Sequence, residues 1–313
     1  MKNKNIAFVV SVLIIVASLF LLDLIVGRVG EYALSKMPDF AFTQISKDNY
    51  RLNRVNKDIV IVGSSRCSRH YVSTMLRDSI NSYVSGNYSL FNCGVDGRPV
   101  DNNLCAVEAI MDRYIPKMLL FDVTEIDLST GPQVGALEDY SVFYKDNIFA
   151  KKYLDDLGWK ERVKMSSNLF RFNRRIAHIV QSFINETNDD GYEPIYQIMT
   201  TIPEKDSNAK VTSHAINEKS LENFKRVLQT SRDKGVFMIV VSSPRFRSND
   251  ENYFLADLCQ SFDVPYIAMQ DLDIFNSHPE YFKDASHLND DGAHIFTDMF
   301  FEELKPYLNP LIR

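Results

Sequence analysis

The sequence predicts an α/β protein, a three-layer α/β/α sandwich around a parallel sheet, preceded by one N-terminal transmembrane helix. Three observations predict it. Short apolar, β-branched runs recur along the chain, as strands covered on both faces of a parallel sheet require. The intervals between them carry apolar residues at helical spacing, and strands alternating with helices give this layering. The chain also opens with an almost unbroken apolar stretch over residues 6–27.

That stretch comes first in order. Its only charged residue is Asp23, and Lys2 and Lys4 precede it. At about 1.5 Å per residue, roughly 20 residues cross a hydrocarbon core of about 30 Å. Basic residues ahead of the span favour a cytoplasmic N-terminus and leave the rest of the chain outside. A cleaved signal peptide is the rival reading, but the run exceeds a usual signal core and no small-x-small cleavage site follows it, so an uncleaved signal anchor over 1–28 is expected. Asp23 is expected at the interface. Residues 29–56 read as a connector of mixed polarity, and 57–313 as the α/β domain.

Within that domain the predicted strands lie at 58–63, 90–92, 118–121, 236–241 and 264–268, the first ending at Gly63. Helical patterns occupy 102–114, 217–234, 251–262 and 291–304; Leu221, Phe224 and Leu228 share a face of the second, which Gly235 can end. From about 129 to 216 the alternation stops. This insertion holds helical stretches at 150–157 and 159–184 and then a polar loop rich in Asn, Asp and Gly. Because it follows the third strand, it is placed to cover a ligand crevice at the carboxyl edge of the sheet, or simply to add packing area.

Composition sets the outer limits. The 313 residues, 45% hydrophobic and 24% charged, bury one large domain, and 35 basic against 41 acidic side chains supply no drive toward nucleic acid. The four cysteines, Cys67, Cys93, Cys105 and Cys259, lack metal-ligand spacing, so no metal is expected. Cys67 and Cys93 both follow predicted strands and are a conceivable disulfide pair, with buried free thiols the favoured reading.

Two motifs carry chemistry. Gly63-Ser64-Ser65-Arg66 follows the first strand, and Asp284-Ala285-Ser286-His287-Leu288 lies near the C-terminus. A serine hydroxyl becomes a useful nucleophile when an imidazole takes its proton and a carboxylate holds that imidazole in the right tautomer. Ser65, His287 and Asp284 can supply these roles, and backbone N–H groups at the start of the helix after Ser65 can hold an oxyanion. Arg66 is a candidate for binding a substrate carboxylate or phosphate, or else for a salt bridge that stiffens the turn. Arg245, in Ser242-Ser243-Pro244-Arg245 after the fourth strand, is a binding-loop candidate. His70 can approach the site from the helix after Ser65; His294 reads as a surface or capping residue, and His178, His214 and His278 carry no motif. Arg171, Arg174 and Arg175 could meet anionic lipid or glycan, but read first as a solvated face.

With these motifs the chain resembles the SGNH, or GDSL-like, serine hydrolase superfamily, and within it the membrane-anchored bacterial acyl-transfer and esterase members. The resemblance covers roughly 57–127 and 217–305. It assigns the nucleophile to Ser65, with Ser64 in the usual Asp place, and matches Asn92-Cys93-Gly94-Val95-Asp96-Gly97 to a second block whose glycine, Gly97, joins Ser65 as an oxyanion donor. Asp284, His287, Leu288, Asn289 and Gly292 match the last block. The third block departs from the pattern: Ile126 stands where the family has an oxyanion asparagine. An apolar side chain donates no hydrogen bond, and losing one such donor costs about 3 kcal/mol unless another group substitutes. Thr124, Arg66 and the backbone N–H groups of Ser65 and Gly97 are the candidates.

The resemblance implies a flavodoxin-like SGNH sheet and a single-pass protein of a bacterial inner or cytoplasmic membrane with its catalytic domain outside the cytoplasm. It implies a Ser-His-Asp esterase or O-acetyltransferase acting on an envelope or exported glycan without a cofactor. Arg66, Asn92, Thr124 and Arg245 are the substrate-binding candidates. The competing reading is a weak or inactive scaffold or glycan-binding subunit beside an integral-membrane acyltransferase. A nucleotide binder fits poorly, because no phosphate-cradling glycine-rich loop follows the first strand.

Overall fold

A computed structural model describes residues 2–173, 175–202, 215–247 and 253–312. Five runs form one parallel sheet: β1 (Ile59–Val62), β2 (Leu90–Asn92), β3 (Met118–Asp122), β4 (Met238–Ser242) and β5 (Tyr266–Ala268), in the order β2-β1-β3-β4-β5. The register sets Ile59 beside both Leu90 and Met118, Leu119 beside Met238, and Val240 beside Tyr266. β1 to β4 are buried at every position. Successive strand side chains point to opposite faces, so Val60, Val62, Leu119 and Phe121 enter one core while Ile59, Ile61, Met118 and Leu120 enter the other. Two covered faces explain why these runs are continuously apolar rather than alternating.

In chain order the first helices are α1 (Lys2–Lys36), α2 (Gln44–Asn53), α3 (Ser65–His70), α4 (Ser73–Val84), α5 (Val100–Arg113), α6 (Glu125–Ser129) and α7 (Val134–Leu137). There follow α8 (Ile148–Asp156), α9 (Trp159–Met165), α10 (Asn168–Phe172), α11 (Arg175–Ser182), α12 (Glu218–Asp233), α13 (Tyr253–Ser261), α14 (Asp273–Ser277) and α15 (Asp290–Leu304). Asparagine side chains cap three of them, Asn147 on α8, Asn217 on α12 and Asn289 on α15, each accepting backbone N–H bonds that the first turn leaves open. The first core is covered by α2, α5, α8, α12 and α13, the second by α4, α14 and α15. A two-stranded antiparallel ribbon, β6 (Phe282–Asp284) with β7 (His287–Leu288), precedes α15. The result is the expected three-layer sandwich.

Residues 29–56 hold more structure than their mixed polarity suggests. α1 continues to Lys36, and α2 lies buried against α5 although it carries Lys47, Asp48 and Arg51. These charges are partnered: Arg51 Nε donates to Asp48 at 3.0 Å, its Nη1 to Asn103 at 2.8 Å, Arg98 meets Asp48 at 2.6 Å, and Lys47 pairs with Glu193. Pairing is what lets charge enter a core.

α1 is long and apolar enough to cross a membrane, with a mean hydropathy of 2.9 in its most apolar window. Its second half is docked. Asp23 accepts from Ser167 Oγ (2.8 Å), the Leu169 backbone N–H (2.8 Å) and Asn168 Nδ2 (2.9 Å), so it holds the N-terminus of α10 instead of standing alone at an interface. A methyl group on Gly30 would come within 2.4 Å of the Phe172 ring, so only glycine permits this approach of α1 to α10. The expected helix over 159–184 is interrupted at Ser167, whose hydroxyl caps α10, and again before α11. The insertion's helices therefore pack beside α1, α2 and α5 rather than over the crevice. All four cysteines are free and buried, so Cys67 and Cys93 form no disulfide; burial raises the Cys93 thiol to about 12.

Candidate active site

In a sheet ordered 2-1-3-4-5 the chain leaves β1 at the point where successive connections turn to opposite faces, and a crevice opens at that carboxyl edge. Gly63 and Ser64 turn the chain out of β1 there, and Ser65 is the first residue of α3, half-buried. Its Oγ lies 2.7 Å from His287 Nε2. His287 Nδ1 lies 2.8 Å and 3.0 Å from the two oxygens of Asp284. An ionised carboxylate only accepts, so the proton sits on Nδ1, and Nε2 is left to accept from the Ser65 hydroxyl.

The imidazole is held by local sequence. Asp284 Oδ1 also accepts the backbone N–H groups of Ser286 (2.9 Å) and His287 (3.1 Å), closing the four-residue turn between β6 and β7 on itself. Burial would raise the Asp284 carboxyl, but the Ser286 N–H bond, the neighbouring His287 side chain and Lys283 hold it below the ordinary carboxylate range. On either side of the turn, Phe282 and Leu288 are fully buried. Asn289 then caps α15 and donates to Glu280 O at 2.7 Å, while Gly292 lets the helix pass Tyr281, whose carbonyl oxygen would be 2.2 Å from any added methyl. The Asp-x-x-His-Leu-Asn-x-x-Gly pattern is thus an anchor, a cap and a close approach that together aim His287. Phe246 adds a brace from the loop after β4, its backbone N–H donating to Ala285 O at 3.0 Å.

Beneath this ribbon lies a polar chain that sequence reasoning left unassembled. The Leu288 backbone N–H donates to His70 Nε2 at 3.1 Å; His70 Nδ1–H then faces Ser243 Oγ at 3.1 Å, and Ser243 Oγ donates to Asp122 Oδ2 at 2.7 Å. His70 is fully buried, and burial, with the nearby His287 and Arg66, pushes its pKa well below the ordinary imidazole value. It is therefore a neutral positioning residue that fixes the backbone next to His287. Burial raises the Asp122 carboxyl, against the charge of Arg66. No short motif links His70, Asp122 and Ser243; only the strand ends bring them together.

The other candidates divide. Arg66 is buried and donates to Asp127 Oδ2 and, at 3.4 Å, to Thr124 Oγ1, which makes it the turn-stiffening ion pair rather than a ligand for substrate. Thr124 is fully buried, and Asp127 Oδ2 accepts its N–H (2.8 Å) and hydroxyl (2.9 Å) as the N-terminal cap of α6. Asn92 is also fully buried: its Nδ2 donates to Cys67 O (2.7 Å), and its Oδ1 accepts from Gly94 N (2.9 Å) and Cys67 Sγ (3.1 Å). Neither presents a polar group to a ligand. Arg245 is half-buried at the same sheet edge, its backbone N–H donating to Gln270 O at 3.2 Å. Gly97 has a φ of +69° and is exposed; the preceding Asp96 ties its loop to α3 by accepting from Ser68 Oγ (2.7 Å) and pairing with Arg69. Ile126 is half-buried in the first turn of α6. His178 on α11 and His294 on α15 are exposed and His278, just after α14, is half-buried, whereas His214 and Arg174 lie outside the described residues.

The polar loop of the insertion reaches the site as a strap. Asp190 O accepts from Asn92 N (2.9 Å), Glu193 N donates to Ser68 O (2.9 Å), and Arg69 Nη1 donates to Glu193 O (2.9 Å). Further on, Ile195 O accepts from Asp290 N (2.7 Å) and Met199 N donates to Phe282 O (2.7 Å). One segment therefore binds both the helix that begins at Ser65 and the ribbon that carries His287.

No family model and no curated protein matches the chain. Among solved structures it is similar to a psychrotrophic esterase, EstA, from Pseudoalteromonas sp., at 11% identity and a TM-score of 0.44 over 80% of this chain and 98% of that one. It is also similar to the lipase/acylhydrolase from Enterococcus faecalis, at 11% identity and a TM-score of 0.36 over 80% of this chain and 95% of that one.

Proposed function

We propose that the chain is a membrane-anchored serine esterase or O-acyl transferase of the SGNH type, working outside the cytoplasm on an ester-linked acyl group, acetyl above all, of an envelope or exported glycan. The observation that carries this reading is the hydrogen-bonded line from Ser65 Oγ to His287 and on to Asp284. In the proposed reaction Ser65 Oγ attacks the ester carbonyl carbon while His287 Nε2 takes its proton. The tetrahedral intermediate collapses, the C–O bond to the sugar breaks, and the leaving oxygen receives that proton from His287. An acyl-Ser65 ester remains. Water then yields hydrolysis, or a second sugar hydroxyl yields transfer, each activated by His287. Asp284 keeps the imidazole in the tautomer that accepts at Nε2 and stabilises the imidazolium. The oxyanion falls to backbone N–H groups at Ser65 and Gly97, since the Ile126 side chain donates nothing.

The anchor supports a large surface-associated substrate, because a tether concentrates the site where such polymers emerge. Ile126 favours the second reading, a weak catalyst serving as a glycan-binding subunit beside an integral-membrane acyltransferase. Turnover separates the two. Full-length protein in detergent micelles is given an aryl acetate and an acetylated oligosaccharide, with and without an acceptor sugar. The enzyme reading predicts acetate release or transfer that falls at least about a thousandfold in Ser65→Ala. Equal rates in both proteins would overturn it.

A further inference from the structure

The apolar run of α1 starts at Ile6, and about 20 residues at about 1.5 Å each span the hydrocarbon core, which sets its outer boundary near Ile25. Asp23 then lies just inside that boundary, where a lone carboxylate is costly. Three donors from Ser167, Asn168 and Leu169 satisfy it, and they are the start of α10. The insertion is therefore held at the depth of the outer lipid interface. Two further contacts fix it there: Phe172 against Gly30, and Arg171 Nη1 with Glu31 at 3.3 Å.

α11 follows directly. Ile176, Val180, Phe183 and Ile184, at helical spacing on α11 and its exit, are all exposed, Ile184 to 78%. The stripe is continuous with the span: Ile176, Ile179 and Val180 share an apolar groove of about 210 Å³ with Ile25, Val29 and Ala33 of α1. The opposite edge of α11 is polar. Arg175, His178 and Gln181 line a cavity of about 200 Å³ with Gln44 and Arg98, and Gln44 Nε2 donates at 2.7 Å to the carbonyl of Asp96, next to Gly97. Arg28, the first residue past the apolar run, is exposed on the same reach of α1.

We infer that α11 lies in the outer lipid interface, its Ile176, Val180, Phe183 and Ile184 stripe against acyl chains, so that the catalytic body is seated on the bilayer and the polar cavity opens at headgroup level. This rests on the reading of α1 as a membrane span. It turns the tether into a fixed mount: Asp23 and α11 together orient the crevice relative to the membrane, and the substrate is met at the lipid surface.

The test uses the full chain carrying Val180→Cys, reconstituted into phosphatidylcholine vesicles. The four native thiols are buried, so an environment-sensitive fluorophore reacts at the introduced one. Ser82→Cys, exposed on α4 across the sheet, is the control. Nitroxide groups near the carbonyl end of the lipid acyl chains are expected to quench the label at position 180 several-fold more than the label at 82. Flotation of the vesicles after an alkaline wash reports the anchor separately. Protein that floats while both labels are quenched alike overturns the seating of α11 and leaves the anchor standing; protein that does not float overturns both. Protection of position 180 by crosslinkable pairing of two chains, without lipid quenching, assigns the stripe to a second copy and also overturns the inference.

Discussion

Replacing His70 with glutamine should remove a defined part of the protein's acid sensitivity. His70 is buried, accepts the Leu288 N–H at Nε2 and donates from Nδ1 to Ser243, so the folded state holds it neutral. The unfolded chain protonates it near pH 6.5. Between that value and its depressed folded pKa the unfolded state binds the extra proton, so stability rises with pH and is lost as pH falls below about 6.5. One unit lower, at pH 5.5, the loss approaches about 1.4 kcal/mol. For a chain of this size that is roughly 2 °C in melting temperature. Glutamine keeps an acceptor and a donor but does not titrate. Thermal unfolding of the full chain in detergent at pH 7.5 and 5.5 should show the wild type losing about 2 °C more than His70→Gln. Equal losses in the two proteins would refute the assignment of His70 as a buried neutral brace.

Asp284→Asn should keep the turn, because its amide oxygen still accepts the Ser286 and His287 N–H groups, yet its NH2 favours the wrong imidazole tautomer; kcat/KM for an acetyl ester should fall by about 10³ to 10⁴ with an unchanged circular dichroism spectrum. Since the Asp284 carboxyl is held below its ordinary value, its contribution to activity is present above about pH 4 and fades only as pH falls through the lower folded value; an acid limb of kcat/KM that reports loss of the Asp284 carboxylate above pH 5 would contradict this. Asp127→Ala strips Arg66 of its charged partner and α6 of its cap, which should destabilise the fold by about 2 to 4 kcal/mol in denaturant titrations, and a change below about 0.5 kcal/mol would show the pair to be incidental.

The parts that were legible in the sequence are those whose physics is local. A strand covered on both faces is held to apolar side chains, so the runs of β1 to β4 declare themselves, and edge strand β5 is marked by its buried Ile267. The Asp284 to His287 turn is also local, its carboxylate capping its own backbone. What hid from the sequence is long-range. His70, Asp122 and Ser243 meet only because α3, β3 and β4 end side by side. α2 reads as a polar connector because Asp48 and Arg51 are charged, and only Arg98, Asn103 and Tyr140 reveal that the charges are paired inside. Asp23 reads as an interfacial residue, and its partners Ser167 and Asn168 lie too far along the chain for any local pattern to join them to it. The strap around Glu193 has loop composition and acts through backbone bonds that no side-chain pattern encodes. By position Arg66, Asn92 and Thr124 all read as ligands, but Asn92 and Thr124 spend their polar atoms inside the protein and Arg66 Nη2 is taken by Asp127 and Thr124.

The most direct test of the Ser65 assignment is covalent. Folded full-length protein in detergent is treated with a fluorophosphonate and read by intact mass and peptide mapping. An activated Ser65 gives a single adduct on that residue, absent from Ser65→Ala and strongly slowed in His287→Ala. A folded wild type that takes up no label, or labelling that persists in Ser65→Ala, would contradict it.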